Sequence, residues 1–180
     1  MLLKLLGDKK TEVPLYAAVA VSVPLLLNVC ADQMRSGFSK VYQHYLLQKM
    51  KRKLHGKYQQ HDYQGLIGLG QKDIHGIKDF WEFDDAFTAP INGFDGAQDY
   101  YMKSSSRQYL GGIQIPTLII HSLDDPFMTP EVIPHDNELS DSVCLELSKH
   151  GGHVGFVSGH LLKPRFWLEE RIPQFFSSIL

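Results

Sequence analysis

Two aspartates and two histidines are the densest concentration of reactive side chains in this chain of 180 residues. His121-Ser-Leu-Asp124-Asp125-Pro-Phe-Met128 puts adjacent carboxylates directly after an apolar run, and His150-Gly-Gly-His153-Val-Gly-Phe156 holds imidazoles among glycines. A carboxylate can orient and stabilise an imidazole through one ring nitrogen and leave the other free as a base. The glycines let the backbone bend sharply enough for His153 to point back towards the acid. Each piece alone has a plainer reading: paired aspartates after a strand serve as turn residues or helix caps, and a histidine near glycines is commonly a loop residue. The two pieces together, 28 residues apart from Asp125 to His153, favour an acid–histidine relay. The chain order, acid then histidine, is one that such relays use.

For these side chains to meet, their segments must end neighbouring strands. Pro116-Thr-Leu-Ile-Ile-His-Ser122 reads as a buried strand, and Ser142-Val-Cys-Leu-Glu-Leu-Ser148 alternates as a second. Tyr16-Ala-Ala-Val-Ala-Val-Ser-Val23 is short, rich in β-branched residues and bounded by Pro14 and Pro24, so it reads as a third. Between Leu25 and Gly112 no strand pattern occurs. There Tyr42, Tyr45, Leu46, Met50 and Leu54 recur at helical spacing, predicting an amphipathic helix, and 78–87 and 97–102 predict shorter ones. A last helical region is expected from about Leu162 to Ser178, carrying Phe166, Trp167, Ile172, Phe175 and Phe176 and broken at Pro173. Strand, helical excursion, strand, connection, strand, helix is the order of a parallel α/β sheet. In such sheets function collects in loops at the carboxyl ends of the strands.

Composition narrows the field. A hydrophobic fraction of 43% suffices for one ordinary domain or part of a larger one. Eighteen Lys+Arg against twenty Asp+Glu give net charge −2, which argues against nucleic acid as a partner. The one dense basic run, Lys49, Lys51, Arg52 and Lys53, reads as a solvated helix face. Two cysteines, Cys30 and Cys144, cannot build a disulfide framework; they read as small buried hydrophobes in a reducing, cytoplasmic setting. The nearly uncharged stretch Val13–Ala31 invites a signal-peptide or membrane-span reading. Pro14, Pro24 and Asn28 favour a buried strand instead, with no stable membrane insertion. Met1-Leu-Leu-Lys-Leu-Leu-Gly7 reads as the end of an amphipathic helix stopped by its glycine.

At this point the residues carry a resemblance. Ile115–Met128 resembles the acid-bearing segment of α/β-hydrolases, and more narrowly of the YheT-like esterases; His150–Phe156 is similar to that family's histidine loop. Phe83-Asp-Asp-Ala-Phe-Thr-Ala-Pro90, with Gly93-Phe94 and Tyr100-Tyr101, resembles its lid signature. The resemblance implies an α/β class, with 1–180 the C-terminal part of one α/β-hydrolase domain and 25–112 a helical lid. It implies Asp125 as relay acid and His153 as base, Asp124 supporting the loop and His150 structural. It further implies an ester or lipid-like small-molecule substrate and no metal or organic cofactor.

The family's nucleophile is a serine in a Gly-x-Ser-x-Gly elbow, and the 180 residues contain no such motif. Gly37-Phe-Ser39-Lys-Val41 comes nearest, but Val41 replaces the second glycine and no strand precedes it. Ser122 and Ser158 lack the elbow, and Cys144 has no local activating partner. Met1–Gly7 resembles the helix that follows the elbow. The expectation is therefore a chain that starts just after the nucleophile and can associate with an N-terminal half. Two other readings stay open. One is a metal-dependent hydrolase, motivated by nine histidines and the Asp124/Asp125 pair. The other is a non-catalytic product: a remnant, or a subunit completing a separately encoded half.

Overall fold

The computed structural model describes residues 1–160 and 163–179. The chain divides into two compact units, one of residues 1–26 and 105–180 and one of residues 27–104.

The first unit is built on a parallel sheet. Helix α1 (Leu2–Lys9) precedes strand β1 (Ala18–Val21); β2 (Thr117–Ser122) and β3 (Val143–Ser148) follow the excursion, in spatial order β1-β2-β3. All pairs are parallel, with Val21 beside Ile120 and Ser122 beside Ser148. Every residue of β2 is buried, as a strand covered on both faces must be. Alternation along it sends Ile119 to one face, against Leu3, Leu6 and Leu110, and sends Leu118 and Ile120 to the other. There they meet Phe156 and the apolar stripe of α8 (Trp167–Ser177), formed by Trp167, Leu168, Ile172 and Phe175. The three strands foreseen from sequence are present and slightly shorter at their ends.

Four local expectations are corrected. Helix α1 does not stop at Gly7 but runs to Lys9, and Lys10 takes a positive φ (51°). Gly7 is there for close approach: a Cβ on it would lie 2.2 Å from the Tyr109 carbonyl oxygen, and one on Gly112 would lie 2.8 Å from the Gly7 oxygen. The last helical region begins only at Trp167, because residues 163–166 form a strand, β5 (Lys163–Phe166), antiparallel to β4 (Val157–His160). Leu162, where the helical region was expected to begin, lies outside the described residues. Pro173 sits inside α8, which continues through it as one helix. Cys30 is buried, but Cys144 is exposed on β3, one of the two edge strands of the three.

The second unit is helical throughout. It comprises α2 (Leu27–Gln33), α3 (Ser39–Lys57), α4 (Tyr63–Ile67), α5 (Phe80–Phe83), α6 (Ala89–Ile91) and α7 (Ala97–Ser104), with a π-helical turn over Asp84–Thr88. One cluster packs Leu47, Leu54, Tyr63, Ile74 and Phe83; a smaller one packs Ala31, Ala97 and Tyr101. Helix α3 lies where its spacing predicts, but only part of the predicted stripe faces inward: Leu54 is buried and Leu46 and Met50 are half-buried. Gln43, Leu47, Lys51 and Leu54 are buried, whereas Tyr42 and Tyr45 are exposed. The basic run is accordingly split. Lys51 is buried and its Nζ donates to the backbone carbonyls of His75, at 3.1 Å, and Ile77. Among the described residues no helix is long and apolar enough to cross a membrane.

Candidate active site

The sheet register places the reactive residues. Because Ser122 and Ser148 end their strands side by side, the acids two and three residues beyond one face the histidine loop beyond the other. The Leu123 amide donates to the Ser148 carbonyl (2.8 Å) and continues the ladder one step further. The chain then turns over Asp125, whose Oδ1 accepts from the Phe127 amide (2.9 Å). Its Oδ2 lies 2.9 Å from His153 Nδ1. The carboxylate is 1% exposed and the imidazole 33%. A carboxylate only accepts, so Nδ1 is the donor and Nε2 carries the lone pair. The imidazole and the Phe127 ring meet at 4.8 Å between centroids with their planes 71° apart, a contact that helps hold the ring plane, while the bond to Asp125 sets the tautomer.

Asp124 holds the loop itself. Its Oδ1 accepts from the amides of Gly151 (2.9 Å) and Gly152 (2.8 Å) and from the Ser122 hydroxyl. The Ser122 hydroxyl foremost, then these two amides and His150, hold this carboxyl down at about 2. His150, almost fully exposed, reaches the other oxygen at 3.4 Å. The glycines have separate jobs. Gly152 adopts φ +58°, and a Cβ on Gly151 would lie 2.7 Å from the Phe156 ring. Phe156 anchors the far end of the loop in the core and stacks on Trp167 at 5.8 Å.

Sequence reasoning passed over two neighbours. His121 interrupts the apolar run of β2 and is buried; burial pushes its pKa below the ordinary value, outweighing the attraction of Asp125, with His153 adding to the depression. It is therefore neutral at pH 7. Ser22, the first residue past β1, is buried at φ 49°, and its hydroxyl has no hydrogen-bond partner among the described residues. The signal for both was a polar residue in a run otherwise fit for a core.

The other candidates fall elsewhere. Ser39 is the buried first residue of α3, and Ser158 lies exposed in β4. Ser122 donates to Asp124. Residues of the lid-like signature bond to one another and to Ala97 within the helical unit. The Tyr101 hydroxyl donates to Asp84 Oδ2 (2.6 Å), and Asp85 Oδ1 accepts from the Ala97 amide (2.9 Å). Burial, chiefly, raises the pKa of both Asp84 and Tyr101. Among the described residues, no three His, Cys, Asp or Glu side chains converge so as to hold a metal.

A buried acid oriented on a half-exposed imidazole at adjoining strand ends fits what similar proteins are named for. The chain is 43% identical, over all 180 of its residues, to "Putative esterase YheT" of Escherichia coli. It is 26% identical over its whole length to phospholipase ABHD3 of Homo sapiens, and 28% identical over 94% of its length to monoacylglycerol lipase of Saccharomyces cerevisiae. Over its whole length the chain is similar to proteins of the α/β-hydrolase family. No family model matches the chain. It spans 52%, 44% and 38% of these three relatives, about half their length or less. The three parallel strands with flanking helices agree with a C-terminal part of that fold.

Proposed function

We propose that this chain is the acid- and base-bearing part of a serine-type ester hydrolase acting on an ester or lipid-like small molecule. The observation that carries the reading is the 2.9 Å contact between His153 Nδ1 and buried Asp125. In the working enzyme, His153 Nε2 takes the proton of a serine hydroxyl as the oxygen attacks the ester carbonyl. The same nitrogen then protonates the leaving alcohol, giving an acyl-enzyme. His153 next deprotonates a water that attacks the acyl carbon, and the serine recovers its proton. Asp125 holds the ring and stabilises its cationic form throughout. The proton accounting closes without a metal or organic cofactor.

The serine is supplied by sequence outside these 180 residues, which hold no Gly-x-Ser-x-Gly. The outer edge of β1 has no neighbouring strand among the described residues, which suits association with an N-terminal half carrying the elbow. Residues 25–112 serve as the helical lid region that sets substrate size, and the enzyme works in the cytoplasm. The chain is purified alone, and also co-expressed with an elbow-bearing N-terminal segment. Alone, it leaves p-nitrophenyl butyrate intact and takes no label from a fluorophosphonate; together, both reactions appear. Labelling and enzyme-like turnover by the chain alone would overturn the need for an outside serine. No activity in combination supports the other reading, a non-catalytic remnant.

A further inference from the structure

The solvent face of α3 combines features that the ester-cleaving site does not use. The helix carries no acidic residue from Ser39 to Lys57, yet it holds Lys40, Lys49, Lys51, Arg52, Lys53 and Lys57. Phe38, Val41, Tyr42 and Tyr45 recur at spacings of three and four, so they share one face, and Lys49, Arg52 and Lys53 continue it. This face lies opposite buried Leu47 and Leu54. Phe38 is 81% exposed, Val41 63% and Tyr45 51%. Lys49 Nζ rests 4.3 Å from the centre of the Tyr45 ring, so cation and aromatic form one surface. Beside it, Lys53 and Lys57 border a crevice whose remaining lining is Met50, Leu54, Phe83 and Phe87.

The geometry points to α3 as a docking surface for an anionic phospholipid bilayer. Aromatic rings and a branched aliphatic side chain on the solvent side of a helix suit the boundary between headgroups and acyl chains, and unopposed cations suit anionic headgroups. The crevice has the same polarity on a smaller scale, an apolar slot with lysines at its rim, which fits an acyl chain below a phosphate. A nucleic acid would match the charge but leave Val41 and the apolar slot without a role. A protein partner would have to supply all of the negative charge, because this helix has none to exchange. The docking is peripheral and does not depend on whether an ester is cleaved.

The test is flotation of the full chain with vesicles of pure phosphatidylcholine and of phosphatidylcholine mixed with phosphatidylglycerol. The wild type is expected to bind the mixed vesicles about tenfold or more tightly than the neutral ones, since each cation at the surface adds a severalfold factor. That preference should shrink at high salt, a readout needing no variant. Phe38→Ser with Tyr45→Ser should lower binding to both vesicles by about tenfold. The triple change Lys49→Glu, Arg52→Glu and Lys53→Glu should abolish the preference. Leu66→Ser, at another exposed apolar position of the same unit, should change nothing. The proposal is overturned if the wild type shows no preference for phosphatidylglycerol, or if Leu66→Ser weakens binding as much as the Phe38/Tyr45 pair. It is equally overturned if the α3 variants alter only self-association or oligonucleotide binding.

Discussion

The two compact units use the same polar residue types for opposite ends. In the sheet unit, main-chain groups satisfy one another along the β1-β2-β3 ladder. The side chains at the strand ends are thereby released to pair with each other, as Asp125 does with His153. In the helical unit the elements are short, and short helices leave many end groups without a main-chain partner. Side chains fill those vacancies. Asp62, Asp73, Asp79 and Asp85 accept from the amides of Gly65, Gly70, Glu82 and Ala97, while Lys51 caps two carbonyls. Asp125 does both: its Oδ1 accepts from the Phe127 amide, and its Oδ2 is left to meet His153. Asp124 marks the boundary between the two cases, since it lies beside the candidate relay yet works as a loop tether for Gly151 and Gly152.

This contrast can be broken in order of expected effect. In the chain combined with an elbow-bearing segment, His153→Ala should lower kcat/KM for a p-nitrophenyl ester on the order of 10⁴-fold. Its urea midpoint should stay where it was. A large stability loss with activity retained would make His153 a structural residue like those of the helical unit. Core truncations should not distinguish the units: Leu118→Ala in β2 and Ile74→Ala in the helical core should each cost about 3 kcal/mol in urea unfolding. Lys51→Met sharpens the contrast. It keeps the apolar stem but strips two buried carbonyls of their donor, and should cost about 2 kcal/mol with little effect on ester turnover. An unchanged urea midpoint would mean that those carbonyls find water.

The smallest effect concerns Asp124. Its carboxyl sits at about 2 in the folded chain, and an unfolded aspartate titrates near about 3.9. The folded value is the lower one, so the tether's contribution is complete above about pH 4. It fades as pH falls towards about 2. The amide resonances of Gly151 and Gly152 should therefore move together over that window, and Asp124→Asn should remove the movement. Movement that persists in the variant would assign the titration to another group.

Much of this was legible in the sequence for identifiable reasons. Strands β1, β2 and β3 are compact apolar runs with sharp Pro or polar boundaries, and Asp125 and His153 follow two of them at once. What was misread depended on distant partners. The stripe through Tyr42, Tyr45, Leu46, Met50 and Leu54 predicted the right helix but only part of its inner face, because Gln43 and Lys51 pay for burial with bonds to Phe80 and to the His75 and Ile77 carbonyls. Gly7 read as a helix stop, although its role is the approach of Tyr109 and Gly112, about a hundred residues away. The β4–β5 hairpin was missed because Lys163-Pro-Arg-Phe166 has no alternation and Pro164 argues for an edge.

By itself, then, the sequence determined the α/β class, the helical excursion between the first two strands, and the identity of an acid and a histidine at two strand ends. Those are local properties of hydrophobic period and turn chemistry. Only the tertiary structure decided that β2 and β3 are adjacent and in parallel register, which brings Asp125 and His153 to 2.9 Å. It also decided that α3 turns its tyrosines outward and its lysine at position 51 inward. A side chain's pattern states what it could bury, but which face is buried depends on the carbonyls and rings that other segments bring to it.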